Sequence, residues 1–384
     1  MKKRALLAAT MESSSRPSLP PHLPVPVEHP SSLSVDAFMT KYAQKGLPVV
    51  LKGGASLVTD RPWTLDALVA NPTVAHTTVE TKRKVLDSVL WARLEQGPRV
   101  SVSDFVVALR DGKGSPGADS LYVHDVSIPL HLPGKLLVLT RHLRIPAYFA
   151  GDWLQHTPEG TMYRETWPSL FLGPEGTESQ THVDSFGSNF WMALLEGRKR
   201  WCLVHPDDMH LLYPEWHAGS PDVVFGVDLA RPEGSPEHAL FRHARVWDCV
   251  LEEGDVLFVP AGTPHFVQNL TQTVAVSCNY IDATNWVRAS TALAHQAYTD
   301  VRAADLLTHL HRIVSTQQPP RHDRVPPTEP SPLPPPSMSF QQFKHPPGAS
   351  PLPQSSFPRS KRPRSAYADL VADFESSDVD ESND

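Results

Sequence analysis

Cysteine is scarce in this chain. Its 384 residues hold three, Cys202, Cys249 and Cys278, an odd number with no Cys-x-x-Cys pair. That pattern argues against a disulfide framework and against a thiolate zinc site. It fits a reducing compartment, nucleus or cytoplasm. Long apolar runs are missing too: no stretch approaches the roughly 18 residues that a membrane-spanning helix needs, so no membrane partner is expected. There is no excess of basic residues. Lys and Arg number 35 against 42 Asp and Glu, for a formal net charge of -7. The chain as a whole therefore lacks the electrostatic footprint for duplex DNA or an anionic membrane, although a nucleic-acid-associated substrate read by a local patch stays open. Internal repeats and appended zinc-finger patterns are likewise absent from the sequence.

Proline, by contrast, is abundant: 39 residues, about twice the usual share, so part of the chain is expected not to pack. Residues 1–30 are Ser- and Pro-rich without hydrophobic period and read as a disordered leader. Its first residues, Met1 to Ala9, resemble the front of a signal peptide, but the apolar stretch is short and a disordered leader is the simpler reading. Residues 31–165 carry mixed α/β signals, among them a helix from Ser34 to Tyr42, a strand at Leu47–Leu51, a helix capped by Ser103, and a strand at Leu121–Val123. Over 166–285 the texture becomes short apolar runs between Gly, Pro and acidic turns, the signature of an all-β sandwich or barrel. Helices return at 286–316, where a homodimer surface could lie. From 317 to 384 Pro, Ser and charge dominate, which reads as a second disordered tail. That tail includes the basic cluster Arg359–Arg364, of the nuclear-import kind. The fold class expected is mainly β with flanking helices.

Within the barrel region, His182-Val183-Asp184 is a pair with geometric content. Residues i and i+2 of a strand share a face, so an imidazole and a carboxylate can grip one ion from one side. Spacing alone proves little: with 19 His and 42 acidic residues, about two His-x-acid matches arise by chance. The other match, His205-Pro206-Asp207, sits where Pro206 breaks a strand and reads as surface loop. The decisive segment is Leu251 to His265. It runs as an acidic turn, an apolar strand, a Pro260-x-Gly262 reversal and a histidine delivered to the barrel edge. His182, Asp184 and His265 together make a two-histidine, one-carboxylate facial triad, the ligand set of non-haem Fe(II) oxygenases, which leaves positions open for co-substrate and O2.

At this point the chain resembles a known family. Gly197-Arg198-Lys199-Arg200-Trp201-Cys202-Leu203, the His-Val-Asp pair and the run Gly254 to Leu270 are similar to Jumonji-C (JmjC) domains of the small hydroxylase branch, which includes the phosphatidylserine-receptor-like arginine demethylase and lysyl hydroxylase. Pro48 to Leu51 and Ile145 to Phe149 also look like that branch, and the likeness covers roughly residues 30–300. It implies a double-stranded β-helix of the cupin or jelly-roll kind, with Fe(II), the co-substrate 2-oxoglutarate and O2. It further implies that Lys199 neutralises the far carboxylate of 2-oxoglutarate, that Ser277 offers it a hydroxyl, and that Ser179, Asn279 and Tyr122 complete its site. Bland readings stand beside these: Ser277 and Asn279 as partners of backbone groups, Tyr122 as ordinary core. One departure is visible, since Met192 stands where the family carries an asparagine, removing a polar contact near the metal. The activity implied is hydroxylation of a protein side chain (lysyl, arginyl or asparaginyl), with N-methyl demethylation, tRNA hydroxylation or a non-catalytic cupin-like scaffold as alternatives.

Overall fold

The structure, a computed structural model, describes residues 18–111, 120–131, 140–218, 222–232, 236–317 and 337–346. The chain enters through two short strands, β1 (His22–Pro24) and β2 (Val27–Glu28), then helix α1 (Val35–Lys41) and strand β3 (Val49–Leu51). Two short helices, α2 (Leu65–Ala70) and α3 (Pro72–Ala75), lead to the hairpin β4 (Thr78–Lys84) and β5 (Leu94–Ser101), helix α4 (Val102–Arg110) and strand β6 (Leu121–Ser127). After β7 (Arg144–Pro146) come β8 (Ser169–Gly173), β9 (Glu178–His182), β10 (Asn189–Glu196) and β11 (Arg198–Val204). A second small hairpin, β12 (Pro214–Trp216) and β13 (Val223–Phe225), precedes β14 (Val246–Glu252), β15 (Val256–Val259), β16 (His265–Asn269) and β17 (Thr273–Tyr280). Helices α5 (Trp286–Gln296) and α6 (Val301–Gln317) follow, and β18 (Ser337–Ser339) with α7 (Phe340–Lys344) closes the described chain.

Two sheets make the barrel. The smaller runs β1-β14-β11-β16-β9 and the larger β2-β3-β15-β10-β17-β8-β6-β4-β5. Their facing sides share one apolar core, drawn from Phe190, Met192 and Leu194 of β10, Trp201 and Leu203 of β11, Leu257 and Val259 of β15, and Ala275 of β17. The intervening residues point the other way. Val274, Val276, Cys278 and Tyr280 of β17 and Val256 and Phe258 of β15 join a second core beneath the helices. Cys202 and Val204 of β11 pack under the 206–244 connection. A strand buried on both faces reads as a continuous apolar run rather than an alternating one, which is why all eight residues of β17 are buried. The cupin-type barrel expected from the sequence is therefore present, with helices packed on the larger sheet.

Helix α1 illustrates how the second core closes. Ser34 caps it by accepting from the Ala37 amide at 3.1 Å, an orphan donor that the helix itself cannot satisfy. Its one fully buried side chain, Phe38, meets Phe258 of the barrel edge-on, with ring centroids 5.0 Å apart, and Phe149 at 5.6 Å.

Three expectations need correction. Ser101, not Ser103, caps α4, accepting from the Asp104 amide at 3.0 Å; the chain leaves β5 extended at Ser101, and buried Val102 opens the helix. Part of the stretch 1–30, expected to be disordered, forms structure. β1 pairs in parallel with β14, and β2 with β3, because Val25 between them is buried in the inner core, and Pro24 is tolerated on an edge strand that needs no donor there. The stretch 317–384 likewise contains structure: β18 pairs with β7, and α7 carries a reciprocal capping box between Ser339 and Gln342 while burying Phe340 and Phe343. The signal-like segment Met1–Ala9 and the basic cluster Arg359–Arg364 lie outside the described residues.

Replacing Phe38 by Ala removes a fully buried ring from the joint between α1 and the barrel. The expected loss is about 3–5 kcal/mol, seen as a lower denaturant midpoint with an unchanged m value. A change below about 1 kcal/mol would show that α1 is not part of the cooperative core.

Candidate metal and co-substrate site

Strands β9 and β16 pair antiparallel, and His265 lies directly opposite His182 in the ladder. The rings face each other with centroids 4.2 Å apart. Each imidazole is oriented from behind: His182 Nδ1 lies 2.6 Å from the Gln180 carbonyl and His265 Nδ1 2.9 Å from the Thr263 carbonyl. A carbonyl only accepts, so Nδ1 carries the proton in both rings and both Nε2 lone pairs are left facing inward. Burial and the neighbouring His265 hold the His182 imidazole well below its ordinary range, so it stays neutral, as a ligand must.

Asp184 follows at the turn Ser185–Gly187. That turn is tightly bound. Gly187 has φ +64°, and an added Cβ would come within 2.8 Å of the Arg288 backbone on α5, so glycine is what lets the helix approach. Phe186 stacks on Tyr163 at 4.1 Å. The Asp184 carboxylate accepts from Asn279 Nδ2 at 3.2 Å, and the same amide group donates to Ser188 Oγ at 2.8 Å. Burial pushes the Asp184 carboxyl up, the response of a carboxylate short of a compensating cation. Donor atoms of His182, Asp184 and His265 all lie within 4.8 Å of one another. Two neutral imidazole nitrogens and one carboxylate on one side of a cavity fit a divalent transition metal with open positions, Fe(II) above all.

The triad opens on a cavity of about 280 Å³. Deeper in the barrel, Lys199 is fully buried. Its ammonium donates to Asn269 Oδ1 at 2.6 Å and Tyr122 Oη at 3.0 Å. No carboxylate among the described residues pairs with it, and burial drops it to about 7. Nearby, Trp201 Nε1 and Ser277 Oγ are buried donors without a partner. Buried polar groups are ordinarily satisfied. A lone ammonium, an idle indole N–H and an idle hydroxyl in one barrel therefore fit an anionic ligand with several acceptor oxygens, such as the far carboxylate of 2-oxoglutarate. Met192 sits across the ladder from Ser277, so no polar side chain there reaches back to its hydroxyl.

The other expected residues take more specific places. Tyr122 is tied to Lys199. Ser179 Oγ lies 3.0 Å from His124 Nε2. Asn279 serves Asp184 rather than the Lys199 end. Three residues escaped the sequence reading. Asn269 is the main partner of Lys199 and is held in turn by Thr177 and Thr273; Gly173 makes room for it, since a Cβ there would come 2.0 Å from its amide nitrogen. The two others are His124 and Trp91. The Trp91 ring centroid lies 4.1 Å from that of His182, and its indole donates to the Val183 carbonyl at 3.0 Å.

The profile of the cupin-like domain family matches residues 35–285, a span that holds strands β3 to β17, the triad and Lys199. The chain belongs to the cupin-like domain family. Among relatives of this cupin-like protein is the arginine-specific demethylase JMJ22 of Arabidopsis thaliana, 27% identical over 263 residues, which are 66% of this chain and 45% of the relative. Another is the 2-oxoglutarate and iron-dependent oxygenase JMJD4 of Danio rerio, 27% identical over 179 residues, 46% of this chain and 40% of the relative. The Drosophila melanogaster homolog of JMJD4 is 23% identical over 301 residues, 69% of this chain and 66% of the relative. This chain thus spans between 40% and 66% of these relatives' own length.

Calorimetric titration with Mn(II) under anaerobic conditions tests the cupin-like metal site. His182→Ala and His265→Ala should each abolish binding. Asn279→Ala should weaken it by about 10–100-fold, the usual effect of losing a group that orients a ligand. Binding unchanged in Asn279→Ala would mean that Asp184 is positioned by other contacts.

Proposed function

We propose that this protein is an Fe(II)- and 2-oxoglutarate-dependent oxygenase that hydroxylates a protein side chain. The observation that carries the reading is the pairing of an oriented His182–Asp184–His265 donor set with a fully buried, uncompensated ammonium at Lys199, whose partner Tyr122 lines the cavity beside the triad. Relatives named as 2-oxoglutarate and iron-dependent oxygenases support it. Fe(II), when bound, supplies the coupling of O2 and 2-oxoglutarate to C–H oxidation, so that R–H, 2-oxoglutarate and O2 give R–OH, succinate and CO2. The residues of the chain perform the rest. His182, Asp184 and His265 would hold the ion through their convergent donor atoms. Lys199 holds the far carboxylate of 2-oxoglutarate, with Ser277 and Trp201 completing its hydrogen bonds and Tyr122 and Asn269 fixing the ammonium. Ser179, through His124, lines the path between the two. The apolar walls, Phe171, Phe190 and Met192, keep water from the reacting carbon.

The name of the Arabidopsis relative favours a second reading, N-methyl-arginine demethylation. Hydroxylation of an N-methyl carbon gives a carbinolamine that releases formaldehyde, so the same site serves both, and formaldehyde release separates them.

O2-dependent conversion of 2-oxoglutarate to succinate by the iron-loaded chain is the direct test, with loss expected in His182→Ala. Binding of 2-oxoglutarate should take up a proton near neutrality, because Lys199 titrates at about 7 without a carboxylate beside it and must be charged to hold one. The sign follows: affinity is full below pH 7 and falls as the pH rises through it. Lys199→Met should weaken binding by about a hundredfold and remove the pH dependence. A Lys199→Met protein with normal affinity would sink the assignment of the carboxylate site.

A further inference from the structure

Two charged side chains that enter the same cavity have no part in holding metal or co-substrate: Lys82 and Asp125. Lys82 faces Tyr122 across the β4–β6 ladder and lays its ammonium against the Trp91 indole, 5.7 Å from the ring centroid. Asp125 is different. It has no hydrogen bond or ion pair to any described residue, and it does not belong to the convergent donor set of the triad. It is nonetheless half-buried in a cavity walled largely by aromatic rings.

Its position is built rather than incidental. Regular alternation along β6 would turn Asp125 to the outer face with Val123. Instead the β6–β8 register slips between Val123 and Val126, and Asp125 adopts φ +57°. Val123 and Val126 both pack in the outer core, while the two residues between them, His124 and Asp125, both line the cavity. A bulge re-aims a side chain in this way. A carboxylate held out of bulk water without a partner is costly, and the same cavity is lined by Trp91 and Trp167, indoles of the kind that favour a cation, as Lys82 against Trp91 illustrates.

Resting on the oxygenase reading above, we infer that Asp125 receives the cationic end, guanidinium or ammonium, of the substrate side chain whose carbon is oxidised. The uncharged amide of an asparaginyl substrate would leave that carboxylate uncompensated.

Peptide pools with randomised flanks and one fixed central residue, Arg, Lys, citrulline, norleucine or Glu, are titrated into the full chain loaded with Mn(II) and 2-oxoglutarate. Binding is the readout, so the result does not depend on turnover. Succinate production, measured separately with Fe(II), reports on the oxygenase reading itself. The expected result is that the Arg or the Lys pool binds at least about tenfold more tightly than its uncharged counterpart. Asp125→Asn should erase that preference and Asp125→Glu keep most of it. Arg and Lys pools no better than citrulline and norleucine would overturn the inference, as would a preference that survives in Asp125→Asn. Tightest binding of the Glu pool would overturn it as well, and would assign recognition to Lys82. Should Asp125→Asn fail to fold, the comparison of charged and uncharged pools on the wild-type chain still decides.

Discussion

The register of β9 against β16 is the constraint on which the site rests. His265 stands opposite His182, and each ring is turned by a carbonyl two residues earlier in the chain. Because strand side chains alternate with period two, a slip of one residue would send one imidazole to the opposite face of its strand. The surrounding structure guards against that slip. The Pro260–Thr263 turn sets where β16 begins, and Ala261 is pinned by the Asn189 side chain at 3.0 Å. Asn189 opens β10, whose own pairing with β15 and β17 belongs to the larger sheet. The two sheets are thus keyed to each other at the point where the third ligand enters.

Inside the barrel, the balance of polar groups is deliberately incomplete. The Lys199–Asn269–Thr177 chain is satisfied link by link, which fixes where the ammonium sits. The charge itself is not neutralised, and Trp201 Nε1 and Ser277 Oγ have nothing to donate to. An apolar core of the same volume would be the more stable choice, since a buried ion needs excellent compensation to break even. An unpaired ammonium and two idle donors make sense where a ligand brings the missing oxygens. The same argument explains the burial-raised carboxyl of Asp184 and the uncommitted one of Asp125.

How much of this was legible in the sequence follows from how local each signal is. The triad was legible because two ligands share a strand face and the third follows a Pro-x-Gly reversal. The assignment of Ser277 and Asn279 to one face of β17, and of Val274, Val276 and Cys278 to the other, follows from period two, and the cores divide along that line. Asn269 was not legible, because its role depends on Gly173, Thr177 and Thr273 meeting across different strands. Asp125 was hidden for the opposite reason: the period rule points it outward, and only the bulge turns it in. The leader and tail were read by composition, which averages over windows. It therefore overlooked Val25, and it overlooked the Ser339-to-Gln342 capping box followed by Phe343.

Backbone conformation makes the last connection. Among the described residues, six other than glycine have positive φ. Ala92 and Arg93 directly follow Trp91, which lies over His182; Asp125 lines the cavity; Phe186 sits within the turn that follows Asp184 and stacks on a fifth, Tyr163. Each costs on the order of 1 kcal/mol, and a chain free to relax would not gather five of the six near one site. Tyr213 aside, they sit at or beside the elements that set the cavity wall. The strained pair beyond Trp91 fixes the indole against a ligand, the bulge at Asp125 adds a charge that alternation would exclude, and the Phe186 turn holds the carboxylate ligand. Proteins tolerate such strain where packing over-determines it, and Arg93 Nη1 to the Leu86 carbonyl at 2.6 Å and the Trp91 amide to Asp222 at 3.0 Å are contacts of that kind. The energy is thus spent on the mouth of the barrel, where substrate must be selected, while the ligand strands themselves keep ordinary extended geometry.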